Sequence, residues 1–472
     1  MNILYAVSEA APFIKTGGLG DVAGSLPKAL CAEGVNARVI LPLYSSIAEK
    51  WREKMQFLFY TTVHLSWRRQ YAGVYSLEHE GVIYYFVDNE FYFKRGKAYG
   101  EPDDGERFGF FSRAVVEIMP LLDFKPDIVS CNDWQTALIP IYLRYEQAEF
   151  YREIKSVFTI HNIEYQGRFI EWCLGDVFGL PRELYDSGII RYENDINLMK
   201  GAIYKADYVT TVSPGYAWEL RNPYFACGLH KVIEDNAYKF SGIVNGIDMQ
   251  RFSPENDRYL PQPFSADELS GKRECKRALC RELGMDENDD GPIIACISRL
   301  VSHKGCDLIS AALDSLVSKG VRVVILGTGD SAFENRFRDA EYRHRGRVSS
   351  NIMYSEQRAS LIYAGADMLL MPSKSEPCGL SQLIAMRYGT LPVVHAVGGL
   401  RDTVRPYPLD NSNGFSFGHY STDALLGTVD YAVGVYYNKE QWRSLMKRAM
   451  TEDLGWSRSA KEYIDVYRKI TQ

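Results

Sequence analysis

The fold is decided by the stretch DMLLMPSKSEPCGLSQLIAMRYGT, residues 367–390. Its first five residues form a short apolar run, which predicts a buried parallel strand. After a tight turn, apolar residues recur at helical spacing, and Gly389 is a suitable helix end. Ser375–Gly379 is therefore expected where the carboxyl end of a strand meets the first turn of a helix.

Backbone N–H groups at a helix start attract anions such as phosphate. Glu376 lies in this turn, and its negative charge would repel a phosphate group. A ligand with phosphate on one side and neutral hydroxyls on the other fits both features, because a carboxylate accepts hydrogen bonds from sugar hydroxyls. The alternative is a carboxylate that only complements the helix dipole.

Similar strand and helix alternation extends outward in both directions and predicts parallel βαβ units. The predicted strands, written by residue number, are 3–7, 37–41, 127–131, 156–160, 208–212 and 241–244, then 293–297, 321–326, one each near 352 and 368, and 391–394. Residues 55–88 alternate apolar and polar side chains and predict antiparallel strands. A polar, proline-bearing segment at 255–290 separates the two series. The predicted fold class is α/β, with two doubly wound Rossmann-like domains facing a deep cleft that holds the ligand.

Composition argues for a soluble globular protein in a reducing compartment. The 472 residues are 46% apolar and 24% charged, and the net charge of −6 argues against a nucleic-acid surface. Nine cysteines without a CxxC pair favour free thiols over disulfides or zinc. The N-terminus lacks a signal-peptide pattern, and no apolar run is long enough for a membrane span. We therefore expect a cytoplasmic protein without membrane or nucleic-acid partners.

The loop KTGGLGD, residues 15–21, follows the first strand. Its glycines, which include Gly17 and Gly18, let backbone approach a ligand closely and are expected to take positive φ. Lys15 adds a positive charge. The loop is too long for a dinucleotide fingerprint, and no Gly-Lys-Ser/Thr follows for a P-loop. A glycine loop without a ligand is the alternative.

Two cations, Arg299 and Lys304, lie five residues apart in a loop between a predicted strand and a helix. Such a pair suits a diphosphate, with arginine as a fork and lysine as a point charge. The alternative is an exposed basic loop. No metal site is predicted, because the calcium-loop match that opens at Asp286 has Ile297 where the bidentate glutamate is required.

Polar residues also follow two strands of the first half. His161 and Asn162 end one strand, and Asp133 ends another, so we expect all three to contact substrate. The alternatives are a buried structural histidine and a helix N-cap aspartate. Asn245 begins an Asn-Gly-Ile-Asp segment for which a simple turn is the alternative.

Together these motifs resemble bacterial glycogen/starch synthases over essentially the whole chain. The resemblance is carried by residues 15–21, 132–134, 161–162, 245–248, 298–300 with 304–305, 375–380 and 398–400. It implies the GT-B fold and transfer of glucose from ADP-glucose to the non-reducing end of an α-1,4-glucan such as glycogen, with retained configuration. It also implies no metal and no cofactor. The chain departs from the pattern at Asn132, where the family often has His, and at Ile384, where related glycosyltransferases carry a second Glu.

The resemblance also assigns roles to domains and residues. Residues 1–245 are expected to form the acceptor-side domain and 246–455 the nucleotide-sugar-binding domain, with 456–472 a helix that packs back on the first. Expected catalytic residues are Glu376, His161, Asp133, Lys304 and Arg299. Expected ADP-glucose contacts are Lys15, Gly17, Gly18, Asn162, Asn245, Arg299, Lys304, Cys378, Gly379, Leu380 and Ser381.

The residues alone leave ADP-glucose and UDP-glucose open as donors; only the resemblance favours ADP-glucose. Three other functions remain as alternatives. A glucan hydrolase would use Asp133 and Glu376 as acid and base, a phosphorylase would need a lysine-bound pyridoxal phosphate, and a non-catalytic glucan-binding protein would need aromatics but none of the basic residues.

Overall fold

A computed structural model describes residues 1–472, which form two compact units. Unit 1 comprises Met1–Asn245 together with Trp456–Gln472, and unit 2 comprises Gly246–Gly455. These bounds coincide with the domain bounds expected in the sequence analysis. The prediction that the two domains face each other across a cleft stays a prediction.

Unit 1 contains a nine-stranded sheet and a separate three-stranded sheet. Its strands are β1 Asn2–Ala6, β2 Asn36–Pro42, β3 Gln56–Leu65, β4 Arg68–His79, β5 Val82–Asp88, β6 Ile128–Asn132, β7 Lys155–Ile160, β8 Arg168–Ile170, β9 Arg191–Tyr192, β10 Asp195–Asn197, β11 Tyr208–Thr211 and β12 Phe240–Gly242. The large sheet has the order β12-β11-β7-β6-β1-β2-β5-β4-β3. It is parallel from β12 to β5, and β5, β4 and β3 pair antiparallel, which confirms the prediction for residues 55–88.

Helices cover the large sheet, as its buried strands require. They are α1 Gly18–Ala32, α2 Glu49–Arg52, α3 Glu90–Phe93, α4 Asp104–Ile118, α5 Leu138–Leu143, α6 Cys173–Asp176, α7 Glu183–Asp186, α8 Leu198–Lys205, α9 Pro214–Glu219 and α10 His230–Asp235. Helix α1 begins three residues before the expected start near Asp21. The three-stranded sheet β8-β10-β9 lies in the region 163–205, where the sequence predicts only helices and irregular insertions.

Unit 2 is built on one parallel six-stranded sheet of order β15-β14-β13-β16-β17-β18. Its strands are β13 Ile293–Ile297, β14 Arg322–Leu326, β15 Val348–Asn351, β16 Met368–Met371, β17 Leu391–His395 and β18 Phe415–Phe417. Its helices are α11 Ser270–Glu282, α12 Cys306–Ser318, α13 Ser331–Arg343, α14 Glu356–Gly365, α15 Ser381–Arg387, α16 Gly398–Thr403, α17 Thr422–Tyr437 and α18 Lys439–Met450. Both α/β sheets confirm the predicted doubly wound class.

Strand order reverses once within the parallel part of each sheet. In unit 1 the reversal falls between β1 and β6, and in unit 2 between β13 and β16. Chain segments leaving two such strands diverge to opposite faces of the sheet and leave a crevice at the carboxyl ends, where ligands bind. Each unit therefore has one predicted binding edge.

The last helix, α19 Trp456–Thr471, returns to unit 1 and packs against α1 and β7. It buries its aromatic face, with Tyr463 and Tyr467 almost fully covered, and the hydroxyl of Ser459 donates to the carbonyl of Val244. None of the chain's helices combines the length and the apolar character that crossing a bilayer requires.

Candidate active site

The loop after β13 carries the two predicted cations of unit 2. Arg299 is exposed, and its guanidinium group makes no ion pair or hydrogen bond with the protein. Ser302–Lys304 forms a short 3-10 helix that ends at Gly305, whose φ is 79°. A side chain at Gly305 would meet the carbonyl oxygen of Pro372 at 2.1 Å, so glycine lets this loop pack against the loop after β16.

The loop after β16 holds Glu376 in a buried position. The hydroxyl of Ser373 donates to its carboxylate at 3.0 Å, and the N–H of Gly399 donates to its backbone carbonyl at 3.0 Å. Cys378 is buried and Gly379 has φ of 73°, which turns the chain into helix α15. The expected strand, turn and helix around Glu376 are therefore present.

Lys304 and Glu376 form an ion pair across the strand reversal of unit 2. The Nζ atom of Lys304 lies 2.8 and 2.7 Å from the two carboxylate oxygens. Only 19% of the Lys304 side chain and 7% of the Glu376 side chain are exposed. A cation and a carboxylate thus share one partly desolvated site, which suits a ligand with an anionic part joined to a hydroxyl-rich part.

The glycine loop of unit 1 is held by a buried carboxylate that the sequence did not reveal. Glu9 follows β1, and one of its oxygens accepts from the N–H and the hydroxyl of Thr16, at 2.7 and 2.5 Å. Its other oxygen accepts from the N–H of Gly20 at 3.1 Å. Burial raises the pKa of Glu9. No local pattern marks this residue, since its partners lie seven and eleven residues away.

The expectation of positive φ in this loop is wrong. None of Gly17, Gly18 and Gly20 has positive φ, because α1 begins at Gly18 and the loop enters the helix directly. Lys15 brings the expected positive charge to the loop, and its Nζ lies 2.8 Å from a carboxylate oxygen of Asp21. The three glycines have no side chain to cover the backbone of this loop, and a side chain at Gly20 would crowd Lys15.

Asp133 sits at the carboxyl end of β6 with a left-handed backbone, φ 56°. Its carboxylate does not cap the 3-10 helix Trp134–Thr136; it accepts from the N–H of His161 at 2.7 Å and of Asn162 at 3.4 Å. The N-cap alternative is thus wrong. Burial raises the pKa of Asp133 to about 7, and the nearby carboxylate of Glu9 adds to the shift.

His161 is held from the other side by Asn132. Its Nε2 atom lies 2.9 Å from Oδ1 of Asn132, which also accepts from the hydroxyl of Tyr5 at 2.8 Å. Burial lowers the pKa of His161 to about 3, so its ring is neutral at neutral pH. The structure therefore brings Asp133, His161 and Asn162 together at the reversal of unit 1.

A pocket of about 430 Å³ opens beside Trp134, next to Asp133. Its walls combine aromatic and charged side chains, among them Asp104, Glu164, Tyr165, Arg168 and Phe169. The sequence did not mark this pocket, because its residues come from separate loops. Tyr99, also unmarked, bonds through its hydroxyl to that of Ser8 at 2.7 Å, directly beside Glu9.

Asn245, the last residue of unit 1 before the chain enters unit 2, is buried, and its Oδ1 has no hydrogen-bond partner in the protein. No group of three or more His, Cys, Asp or Glu side chains in the chain is arranged to hold a metal ion. The expectation of a metal-free and cofactor-free reaction stays a prediction, as do the individual residue roles.

The two doubly wound units define a glycosyltransferase of the GT-B class. Residues 2–235 match the family model described as the starch synthase catalytic domain, and residues 285–442 match glycosyl transferases group 1. The chain belongs to the family of glycogen and starch synthases.

Two curated relatives and one solved structure support this family, and a second solved structure supports the fold. The chain is 45% identical to the glycogen synthase of Clostridium botulinum (strain Alaska E43 / Type E3) and 46% identical to that of Streptococcus sanguinis (strain SK36), with all of each chain covered. The catalytic domain of Starch Synthase IV from Arabidopsis thaliana, bound to ADP and acarbose, has a TM-score of 0.92 at 33% identity, covering 100% of this chain and 99% of that one. A sucrose-phosphate synthase from Thermosynechococcus elongatus, 16% identical with a TM-score of 0.63, covers 99% of this chain and 98% of that chain, and shares the fold.

Proposed function

We propose that this chain transfers glucose from ADP-glucose to the non-reducing end of an α-1,4-glucan, with retention of configuration. The observation that carries the proposal is the Lys304–Glu376 pair at the strand reversal of unit 2. It places a cation for a phosphate group beside a carboxylate for sugar hydroxyls, within a chain of the glycogen and starch synthase family.

On the donor side, Arg299 and Lys304 compensate the charge of the diphosphate. Arg299 is exposed and bonded to no protein group, so its fork is available for two phosphate oxygens. Backbone N–H groups of Gly379–Ser381 add neutral donors, and Lys15, with Gly17 and Gly18, contributes from unit 1. Glu376 accepts hydrogen bonds from glucose hydroxyls.

In unit 1, His161 contacts the far edge of the transferred glucose as a neutral ring, and Asp133 and Asn162 orient that glucose or the acceptor. The pocket beside Trp134 accommodates the preceding glucose units of the glucan, because its aromatic walls suit sugar rings and its charged groups suit hydroxyls. Asn245 is a further residue that we assign to ADP-glucose binding.

In the reaction, the bond between the anomeric carbon and the diphosphate oxygen breaks through an oxocarbenium-like state. The acceptor hydroxyl attacks the same face that the diphosphate leaves, and the departing phosphate takes the hydroxyl proton. Because the acceptor hydroxyl attacks directly, the proposal includes no protein nucleophile. Arg299 and Lys304 compensate the negative charge that develops on the diphosphate, so the proposal includes no metal ion. Preorganised donors of this kind contribute about 3–4 kcal/mol each.

The test is incubation of the full chain with glycogen and either ADP-glucose or UDP-glucose, scoring nucleoside diphosphate release and glucan growth. We expect both with ADP-glucose, and loss of both in Arg299→Ala. Lys319→Ala, at an exposed lysine paired with Asp430, is the matched control and is expected to retain activity.

Three results would overturn the proposal. Glucan breakdown without any nucleotide sugar would indicate a hydrolase, and pyridoxal phosphate absorbance in the purified protein would indicate a phosphorylase. Glucan binding without release of a nucleoside diphosphate would indicate a binding protein.

A further inference from the structure

The amide of Asn132, fully buried at the end of β6, has a fixed orientation. Its nitrogen donates to the carbonyl oxygens of Ala6 at 3.0 Å and Ser130 at 3.3 Å. Carbonyl oxygens only accept hydrogen bonds, so the reversed amide would set oxygen against oxygen in a buried site. The Asn132 nitrogen must therefore face these two carbonyls.

The amide oxygen then faces the hydroxyl of Tyr5 and Nε2 of His161, at 2.8 and 2.9 Å. An amide oxygen carries no proton, so both neighbours have to donate to it. The proton of the His161 ring consequently resides on Nε2. The backbone of His161 is held independently, because its N–H donates to Asp133.

A neutral imidazole with its proton on Nε2 presents a lone pair at Nδ1. The structure gives Nδ1 of His161 no hydrogen-bond partner within the protein, and the residue is partly exposed. The ring can therefore accept a hydrogen bond from a ligand through Nδ1, but it cannot donate one there.

We propose that Asn132 is a positioning residue that holds His161 in the Nε2–H tautomer, so that Nδ1 accepts a hydrogen bond from one hydroxyl group of the transferred glucose. This inference rests on the proposed function and adds the direction of one sugar contact to it. It also gives a physical role to the residue at which the chain departs from the family pattern.

The tautomer is read directly by nitrogen NMR of the full chain labelled with ¹⁵N-histidine, with His161 assigned by the signal lost in His161→Gln. We expect a protonated, pyrrole-type Nε2 and a pyridine-type Nδ1. Asn132→Ala is expected to mix the two tautomers. The matched control Tyr5→Phe removes the other donor to the same amide oxygen and is expected to leave the His161 signals unchanged. A proton on Nδ1 in the wild type overturns the proposal even if the variants fail to fold, and so does an unchanged tautomer in folded Asn132→Ala.

The direction of the contact is tested with ADP-glucose analogues in which one glucose hydroxyl at a time is replaced by hydrogen or by fluorine. Neither replacement can donate, so at the contacted position both are expected to slow the wild type about 3- to 10-fold more than they slow His161→Ala. A fluoro analogue that recovers the rate while the deoxy analogue does not would mean that His161 donates, which overturns the proposal.

Absence of any such position also overturns it. The proposed function fails in a different way, because ADP-glucose itself would then give no transfer, whatever tautomer the NMR spectrum shows.

Discussion

The ammonium group of Lys304 contacts both carboxylate oxygens of Glu376, at 2.8 and 2.7 Å. The two residues leave different strands, β13 and β16, on either side of the reversal of the unit 2 sheet. Because the two side chains are in direct contact, we expect their contributions to activity and stability to be coupled. Substituting one residue should therefore change the effect of substituting the other.

A double-mutant cycle with Lys304→Met and Glu376→Gln measures this coupling. We expect each single variant to lower kcat about 10²-fold or more, and the double variant to fall far less than the product of the two. Lys304→Met should also lower the free energy of unfolding by about 3 kcal/mol, because it leaves a buried carboxylate unpaired. Steady-state kinetics and urea unfolding provide the two readouts.

The exposed pair Lys319–Asp430 is the control for this cycle and should couple by less than about 1 kcal/mol. Near-normal turnover by either folded single variant would refute the role given to that residue.

Glu9→Gln should loosen the glycine loop of unit 1. Glutamine replaces one acceptor oxygen with an NH₂ group, which would then face the donors on Thr16 or Gly20. Loss of one charge-assisted hydrogen bond is worth about 1.5–3 kcal/mol, so kcat/KM for ADP-glucose should fall about tenfold or more. Amide hydrogen exchange of residues 16–20 should accelerate in parallel. Unchanged exchange would contradict the anchoring role, and Glu53→Gln at an exposed position is the control.

Asp133 should make stability depend on pH. Its folded pKa is raised to about 7, so between about pH 4 and pH 7 the native state binds more protons than the unfolded state. The contribution of Asp133 to the free energy of unfolding is fully present below about pH 4, where its carboxyl group is neutral in both states. It is lost as the pH rises through 7, by at most about 1.4 kcal/mol per pH unit. Relative to Asp133→Asn, the wild type should weaken over this range in urea unfolding. If the free energies of unfolding of wild type and Asp133→Asn changed in parallel with pH, the raised pKa of Asp133 would be disproved. Asp186→Asn is the control for loss of an exposed charge.

Lys272 should give the opposite slope in unit 2. Its buried ammonium donates to the carbonyls of Ala364 and Tyr388 and to the hydroxyl of Thr390, at 3.0, 2.9 and 2.8 Å. Burial lowers its pKa to about 7, so from about pH 7 to pH 10 the unfolded state binds more protons and native stability rises. Lys272→Met should cost about 1–3 kcal/mol at pH 9 because it leaves these acceptors unpaired.

Thermal or urea unfolding of Lys272→Met and wild type at pH 6, 7, 8 and 9 checks this. The stability gap should widen as the pH rises. A gap that stays constant from pH 6 to pH 9 would show that Lys272 remains charged in the folded state and that burial does not lower its pKa.

Much of the fold can be predicted from short-range patterns. Strand β13 matches its predicted bounds, residues 293–297, because a short apolar run between polar loops is typical of a buried parallel strand. The sheet β8-β10-β9 could not be predicted because strands of two or three residues have no measurable period. The early start of α1 escapes prediction because its first residues are glycines, which seldom begin a helix without tertiary support.

The site was predictable where a strand's carboxyl end carries an unusual polar residue, as with Asp133 and Glu376. The sequence could not reveal which of these residues pair, so the Lys304–Glu376 contact and the anchoring of the loop by Glu9 required the structure. Positive φ at Gly17 is an expectation from residue type alone, whereas the backbone there is set by the direct entry of the loop into α1.

Because α19 completes unit 1, the order in which the domains mature differs from the order of synthesis. Met1–Asn245 is synthesised before unit 2, yet that part lacks the helix that packs on α1 and β7 until α19 has been translated. Unit 2, made later, has all of its residues once Gly455 has emerged. The apolar surface of unit 1 that α19 covers therefore stays uncovered during synthesis until the whole of unit 2 has been made.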